Sequence, residues 1–176
     1  MGRLEDKVIL VTGSGRGFGK SMAIAYACEG AKLVSIARSV DELTSAEKDI
    51  KRKNGDVLTV PADISTDEGI NRVVESTLDE YGGLDVLVNN AATSPWLIFE
   101  ETMIRHWDKV LAVNLRAPFA LTKAFLPSMK ERGGGGIINI SSRSAEMGFV
   151  AESAYCPSKY GLEGLTQCLA LDLRPY

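Results

Sequence analysis

The amino-acid sequence predicts a parallel α/β fold: a doubly wound sheet with helices on both faces. Short continuous apolar runs of strand length alternate with longer amphipathic runs along the chain. A glycine-dense stretch follows the first apolar run directly. We expect residues 1–176 to form one domain, because no linker, internal repeat or low-complexity run divides them.

The first half of the chain contains three predicted strand–helix pairs. Apolar runs, typical of strands buried on both faces, predict strands at Lys7–Thr12, Lys32–Ala37 and Val57–Pro61. Apolar periodicity predicts helices at Lys20–Glu29, Val40–Lys53 and Thr66–Tyr81. Boundary residues support these limits: Gly30 ends the first helix, Asn54-Gly55 ends the second, and Ser65 or Thr66 caps the third.

The second half continues the alternation with longer helices. We predict strands at Leu84–Asn89 and Gly136–Ser141, and helices from about Thr102 to Lys130 and from Ser153 to Leu173. The four glycines Gly133–Gly136 are too few for a domain linker, so we interpret them as a turn between helix and strand.

Composition excludes several classes of function. The 20 basic and 23 acidic residues give a net charge of −3, without the basic excess of nucleic-acid-binding or membrane-surface proteins. No apolar run approaches the length of about 20 residues that spans a bilayer. The polar start lacks the apolar core of a signal peptide. We therefore expect a cytoplasmic protein with a small-molecule substrate.

The cysteines and the histidine predict neither a disulfide framework nor a metal site. Three widely spaced cysteines fit no such pattern, and Cys28 and Cys168 are expected to be buried or partly buried thiols. Cys156 stands beside Tyr155 but lacks a neighbouring base. His106 has charged neighbours in a predicted helix, so we expect a surface position and no metal.

The glycine-rich turn predicts a phosphate-binding site. It has the pattern T-G-x-x-x-G-x-G, with Thr12, Gly13, Gly17 and Gly19 at its fixed positions. Glycines between a buried strand and a helix allow a pyrophosphate to approach the backbone and the helix N-terminus. The strict G-x-G-x-x-G fingerprint is absent, and the alternative is a merely glycine-rich turn. Its place after the first strand favours dinucleotide binding.

Residues at the end of the second strand indicate which dinucleotide binds. An acidic side chain there would bind the ribose 2′-hydroxyl of NAD, but Ala37 occupies that place. Arg38 follows, and Arg16 adds a second cation from the glycine-rich turn, so we predict NADP(H), with NAD(H) as the alternative. The arginines could instead be solvated surface charges. Asp41 is expected to cap the next helix.

Tyr155 and Lys159 are four residues apart and share one face of the predicted last helix. A nearby ammonium favours the phenolate form of a tyrosine, which makes a proton donor and acceptor usable near neutral pH. Alone, such a pair is more often an ordinary helix face. It gains weight here from motifs elsewhere in the chain.

From Lys7 to the end, the chain resembles the short-chain dehydrogenase/reductase family, whose fold is Rossmann-like. The resemblance rests on several motifs in the family's order and spacing: Thr12–Gly19, Asn89–Ala92, Asn114, Ser142, Tyr155 and Lys159. One departure is Ala92, which stands where the family has glycine.

The resemblance implies a role for each matching residue. Tyr155 is the general acid and base. Lys159 assists its ionisation and holds the nicotinamide ribose. Ser142 orients the substrate oxygen, with Ser141 as a competing candidate, and Asn114 completes the tetrad. Tyr155 and Lys159 are thus also cofactor contacts, and the others implied are Gly13, Ser14, Arg16, Gly17, Phe18, Gly19, Arg38, Asp63, Ile64, Asn90 and Ala91. Asn89 is expected to brace the sheet.

Pro118 offers a physical reason for the role of Asn114. A proline lacks an N–H, so the helical hydrogen bond from position 118 to the Asn114 carbonyl cannot form. That carbonyl is then free to hold the water of the family's proton relay. The alternative is that Pro118 only bends the helix around the sheet.

The resemblance implies an oxidoreductase that reduces a ketone or 3-oxo group, or oxidises a secondary alcohol. Family members continue into two further strands and a substrate-covering segment, so we expect a C-terminally truncated version of that fold. The alternative function is a dinucleotide-binding or association module without catalysis. Trp96, Leu97, Met147 and Phe149 suggest an apolar substrate wall, or else pack against the absent segment. The last two long helices resemble the family's dimer bundle, which implies a homodimer or homotetramer.

Overall fold

A parallel sheet of five strands organises residues 2–176, the part of the chain that the computed structural model describes. The strands lie in the order β3-β2-β1-β4-β5, and every neighbouring pair is parallel. Their bounds are β1 Val8–Thr12, β2 Lys32–Ala37, β3 Asp56–Pro61, β4 Val86–Asn89 and β5 Gly136–Asn139. The predicted parallel α/β fold is confirmed, and its strand order is that of a Rossmann-like sheet.

Six α-helices cover the two faces of the sheet within residues 2–176. They are α1 Gly17–Cys28, α2 Val40–Lys51, α3 Asp67–Tyr81, α4 Ile104–Leu111, α5 Ala117–Glu131 and α6 Tyr155–Asp172. The Thr66 side chain caps α3 by accepting from the Gly69 N–H at 3.0 Å, as predicted. The cap predicted for α2 was wrong: Ser39 is the cap, accepting from the Glu42 N–H, and Asp41 lies in the first turn.

The predicted long helix from Thr102 to Lys130 changes its hydrogen-bond register in the middle. Residues Ala112–Arg116, between α4 and α5, form a π-helical segment, in which the Ala117 N–H bonds to the Ala112 carbonyl. Pro118 has no N–H to continue the α-helical ladder back to Asn114. The wider register is where the chain absorbs that missing donor.

The core has one layer on each face of the sheet because alternate strand residues point to opposite faces. On one face Leu10 packs with Leu121 and Phe125 of α5, and on the other Ile9 packs with Ala23 of α1. Full burial of a Leu, Ile or Phe side chain stabilises the fold by about 1.5–3 kcal/mol. The second of these layers holds α1 against the sheet.

The burial predicted for Cys28 and Cys168 was wrong. Cys28 and Cys168 are exposed, whereas Cys156 is buried. Cys28 is the last residue of α1, where the helix leaves the cover of the sheet. Within residues 2–176, no helix combines the length and the apolar character that crossing a membrane requires.

Candidate active site

Two glycines bring the start of α1 close to the ends of β1 and β4. Gly13 has a φ of +68°, and a Cβ there would lie 2.9 Å from the Ala91 Cα. A Cβ on Gly19 would lie 2.3 Å from the Gly13 carbonyl oxygen. Any larger residue at either position would push the helix away from the turn.

The turn is fastened to the ends of the neighbouring strands by buried and partly buried hydrogen bonds. Thr12 Oγ1 accepts from the N–H groups of Asn90 and Ala91, each at 3.0 Å. Asn90 Nδ2 donates to the Thr12 carbonyl at 2.9 Å. The Ser14 hydroxyl lies 2.6 Å from that of Ser35. The Ser14 side chain is therefore directed into the protein, and Ser14 does not line the cavity at the turn.

A cavity of about 670 Å³ opens above the carboxyl ends of β1, β2, β3 and β4. Ten predicted cofactor residues line it: Gly13, Arg16, Gly17, Phe18, Gly19, Arg38, Asp63, Ile64, Asn90 and Ala91. Nine further residues that were not among the predicted cofactor contacts also line it: Gly15, Ile36, Ala37, Ser39, Glu42, Ala62, Ala92, Thr93 and Val113. The cavity lies where the strand order reverses, the usual ligand position in such sheets.

The cavity fits a dinucleotide phosphate by its backbone as well as by its position. The N-cap of α1, Arg16, supplies no side-chain acceptor, and the first turn of α1 holds no acidic residue. By contrast, α2 and α3 each have a side-chain cap and two acids in the first turn. The first-turn N–H groups and positive dipole end of α1 thus lack side-chain acceptors and suit a bound anion.

A cationic edge surrounds the end of β2. Arg16 Nε lies 3.5 Å from Glu42 Oε1, with the arginine largely exposed. Among residues 2–176, no carboxylate lies within 4.0 Å of the Arg38 guanidinium. Glu42 is the third residue of α2, and helical side chains lean toward the N-terminus, which brings this one back to the strand end. This general direction of helical side chains was the one signal in the sequence that could have placed Glu42 beside the cavity.

Asp63 is held as an acceptor at another edge of the cavity. Its carboxylate accepts from the Ser65 hydroxyl at 2.7 Å and from Lys109 Nζ at 2.8 Å. Burial alone would raise the pKa of Asp63, but the hydrogen bonds from Lys109 and Ser65 outweigh it and lower the pKa to about 2. The same contacts attach α4 to the end of β3.

Tyr155 is the first residue of α6, and Lys159 lies one turn further on. Lys159 is 2% exposed, and its Nζ lies 5.7 Å from the centre of the Tyr155 ring. Nζ donates to the Ile140 carbonyl at 2.6 Å, just beyond β5. Burial lowers the pKa of Lys159 from 10.5 to about 8. Neither residue lines the 670 Å³ cavity itself.

Asn114 connects that cavity to α6. It is buried in the π-helical segment, and its Oδ1 accepts from the N–H of Thr93, a cavity residue, at 2.8 Å. Its Nδ2 donates to the Ser158 hydroxyl at 3.0 Å. Ser158 in turn donates to the Tyr155 carbonyl at 2.6 Å. Sequence reasoning missed Ser158, although a serine directly before Lys159 in a helix was a usable indication.

Ser142 precedes a short 3₁₀ turn, Arg143–Ala145, that packs against α6. Its Oγ accepts from the Ser144 N–H at 3.2 Å and contacts the Ser144 hydroxyl at 3.3 Å. Ser141 is exposed, and its hydroxyl donates to Glu163 at 2.7 Å. The arrangement favours Ser142 over Ser141 as the serine of the predicted tetrad.

Comparison with known proteins gives a consistent family. The family model described as short chain dehydrogenase matches residues 7–176. An uncharacterized oxidoreductase of Thermotoga maritima is 37% identical over 98% of this chain. The chain spans 68% of that protein, and 65% of a D-threitol dehydrogenase of Mycolicibacterium smegmatis that is 31% identical over 97% of this chain.

A solved structure agrees with the sequence relatives. A metagenomic short-chain oxidoreductase in complex with NADP is 36% identical and superposes with a TM-score of 0.93, over 97% of this chain and 78% of its own. The family match over residues 7–176, the sheet order and this superposition lead to one assignment. The chain belongs to the short-chain dehydrogenase/reductase family.

Proposed function

We propose that the chain carries the site of an NADP(H)-dependent oxidoreductase that reduces a ketone or 3-oxo group, or oxidises a secondary alcohol. The observation that carries the proposal is the Tyr155–Lys159 pair, with a buried ammonium 5.7 Å from the phenol ring. Thr93, Asn114 and Ser158 link this pair to the glycine-lined cavity by hydrogen bonds. The proposal thus has a proton donor beside a dinucleotide pocket.

A bound nicotinamide dinucleotide would supply the hydride. Residues Gly13, Gly17, Phe18 and Gly19 would hold its pyrophosphate at the start of α1, and Asp63 and Ile64 its adenine. Arg16 and Arg38 would hold a 2′-phosphate, which supports NADP(H). The similar metagenomic oxidoreductase was solved with NADP, and a 7α-hydroxysteroid dehydrogenase, 28% identical, was solved with NADH. NAD(H) therefore stays the alternative.

Side chains of this chain would transfer the proton. Tyr155 donates it to the substrate carbonyl oxygen, or accepts it in the oxidative direction, while Ser142 donates a hydrogen bond to that oxygen. Lys159 places its ammonium 5.7 Å from the centre of the Tyr155 ring. A positioned proton donor of this kind contributes about 10²–10⁴-fold to the rate.

The substrate is proposed to be apolar around its carbonyl. The side chains of Trp96, Met147 and Phe149 are exposed on the loops next to Asn114 and Ser142. Apolar side chains there suit a hydrophobic ketone or acyl chain better than a sugar.

The proposal is tested by Tyr155→Phe in the full-length protein. We expect the variant to lose turnover of a panel of ketones while NADPH binds as tightly as in the wild type, because one hydroxyl is removed and the pocket is kept. Tyr160→Phe is a matched control, since Tyr160 is exposed on the same helix. Retained turnover in Tyr155→Phe would refute the assignment, and wild-type NADPH binding without turnover would favour the binding module.

A further inference from the structure

A buried carboxylate lies behind Ser142 in the loop that precedes α6. Glu152 is 6% exposed, and its Oε2 accepts from the Ser144 hydroxyl at 2.6 Å and from the Cys156 thiol at 3.4 Å. Among residues 2–176, no Lys, Arg or His nitrogen lies within 4.0 Å of this carboxylate. A carboxylate buried without a cation costs free energy, so its hydrogen-bond donors define what it does.

Glu152 fixes the direction of a short series of hydroxyl groups. Ser144 has one hydroxyl proton, which it donates to Glu152 in the short bond. The Ser144 oxygen is then left to accept from the Ser142 hydroxyl at 3.3 Å, while the Ser144 N–H donates to Ser142 Oγ at 3.2 Å. Both contacts that hold the Ser142 side chain therefore come from a residue anchored by Glu152.

The same carboxylate reaches the helix that carries Tyr155. Cys156 directly follows Tyr155, and its thiol shares Glu152 Oε2 with Ser144. The Cys156 N–H also bonds to the Glu152 carbonyl at 2.9 Å. Glu152 thus joins the turn after Ser142 to the first turn of α6.

We propose that Glu152 is a positioning residue that acts through Ser144 to orient the Ser142 hydroxyl relative to Tyr155. This inference rests on the proposed function, in which Ser142 donates to the substrate oxygen. The 3.3 Å bond from Ser142 to Ser144 is long and easily exchanged for a substrate oxygen. The Ser144 N–H still holds Ser142 Oγ after the exchange, so the hydroxyl proton stays directed at the substrate.

The test compares variants of the full-length protein by kcat, carbonyl KM and NADPH affinity. Ser144→Ala and Glu152→Ala should each lower kcat about 10-fold, since a misplaced group costs catalysis more than binding. NADPH affinity should stay within twofold of the wild type. The double variant should lose no more than the single ones, because both residues act in one series.

Two conservative changes separate positioning from general stability. Glu152→Gln keeps an acceptor oxygen and should recover most of the kcat that Glu152→Ala loses. Glu146→Ala removes an exposed carboxylate from the same loop and should behave as the wild type. A merely structural role would lower the number of NADPH sites and the activity in proportion, leaving kcat per bound NADPH unchanged.

Additive losses in the double variant, or an unchanged kcat per bound NADPH in both single variants, would overturn the inference. Failure of the proposed function would be visible in the wild type instead, as NADPH binding without reduction of any carbonyl. The positioning role would then fall with it, since Ser142 would have no substrate to orient.

Discussion

Lys159 is an ammonium held where burial works against its charge. Its pKa is about 8 in the folded chain, against an ordinary value of 10.5, and desolvation is the cause. The side chain accepts that cost while donating to the Ile140 carbonyl beside β5. A lysine kept in such a place, one turn from Tyr155, points to a role beyond packing.

The buried lysine predicts how stability depends on pH. Between pH 8 and 10.5 the unfolded chain holds a proton that folded Lys159 has lost, so the free energy of unfolding rises with pH. Lys159→Met removes this linkage and keeps an apolar stem. We expect the stability of the variant relative to the wild type to fall by about 3 kcal/mol across that interval.

Urea denaturation of both proteins without cofactor at several pH values measures this difference. The comparison with the variant removes the contribution of all other titrating groups. A difference that stays constant from pH 8 to 10.5 would contradict the linkage.

Arg38 predicts the cofactor preference. No carboxylate in residues 2–176 lies within 4.0 Å of its guanidinium, whereas Arg16 already faces Glu42. Arg38→Ala should weaken NADPH binding about 10-fold or more, because hydrogen bonds to a charged phosphate are among the stronger ones. NADH affinity should change less than twofold. Fluorescence titration with both cofactors measures the ratio.

Arg105→Ala is the control for that titration, since Arg105 is an exposed arginine outside the cavity lining. Equal weakening of NADPH and NADH by Arg38→Ala would show that Arg38 supports the pocket generally. That result would contradict a specific contact between Arg38 and the 2′-phosphate.

The π-helical segment Ala112–Arg116 is the element that places Asn114 between the cavity and α6. In this wider register the Asn114 side chain reaches both Thr93 and Ser158. Pro118 prevents a regular α-helix from forming across the segment, because position 118 has no N–H for the Asn114 carbonyl. The element thus depends on one residue outside it.

Pro118→Ala restores that N–H. We expect the restored donor to compete for the Asn114 carbonyl, lower turnover several-fold and alter the pH–rate profile, which steady-state kinetics across pH would show. Pro127→Ala is the matched control, because Pro127 also lies in α5 but is exposed and away from the site. An unchanged pH–rate profile in Pro118→Ala would count against a relay through this carbonyl.

The elements differed in how far they could be predicted, for physical reasons. Runs such as Lys32–Ala37 are apolar because both faces of a parallel strand are buried, so they are visible in sequence. The register change at Ala112 depends on how a proline is accommodated, which periodicity does not show. The α2 cap is Ser39 and not Asp41, because the N-cap is the residue directly before the first helical residue, Val40.

The candidate site divides in the same way. Gly13, Arg16, Tyr155 and Lys159 belong to motifs with fixed local spacing, so the sequence could indicate them. The structure alone brought Glu152 to Ser144, because that contact depends on how the loop before α6 folds back onto the 3₁₀ turn. Such contacts between nearby loops leave no periodic pattern.

In the whole molecule, the predicted site residues lie at one end of the sheet, where the strands have their carboxyl ends. The glycine-rich turn, Asp63, Asn90 and Ser142 all follow the carboxyl ends of strands. This arrangement follows from the parallel strands, because their carboxyl termini all lie at the same end of the sheet. The opposite end is free for structural contacts such as Asp85 with Arg132, at 2.9 Å.

An apolar groove formed by the end of α4, the π-helical segment, α5 and α6 predicts self-association. It is lined by Leu111, Leu115, Arg116, Phe119 and Leu165. Phe119 is 49% exposed in this groove. Burying such a large apolar side chain against a second copy of the chain would be favourable. We propose that a second copy of the chain covers this groove, which would give a homodimer or a tetramer built from such dimers.

Phe119→Asp should therefore reduce the oligomer of the full-length protein to a smaller species, because two carboxylates would meet across a symmetric apolar contact. Light scattering coupled to size exclusion measures the mass. Phe99→Asp is the control: Phe99 is 78% exposed but does not line the groove, so its mass should equal that of the wild type. A monomeric wild type would show that the chain does not self-associate. An unchanged oligomer in Phe119→Asp would show that the contact lies elsewhere.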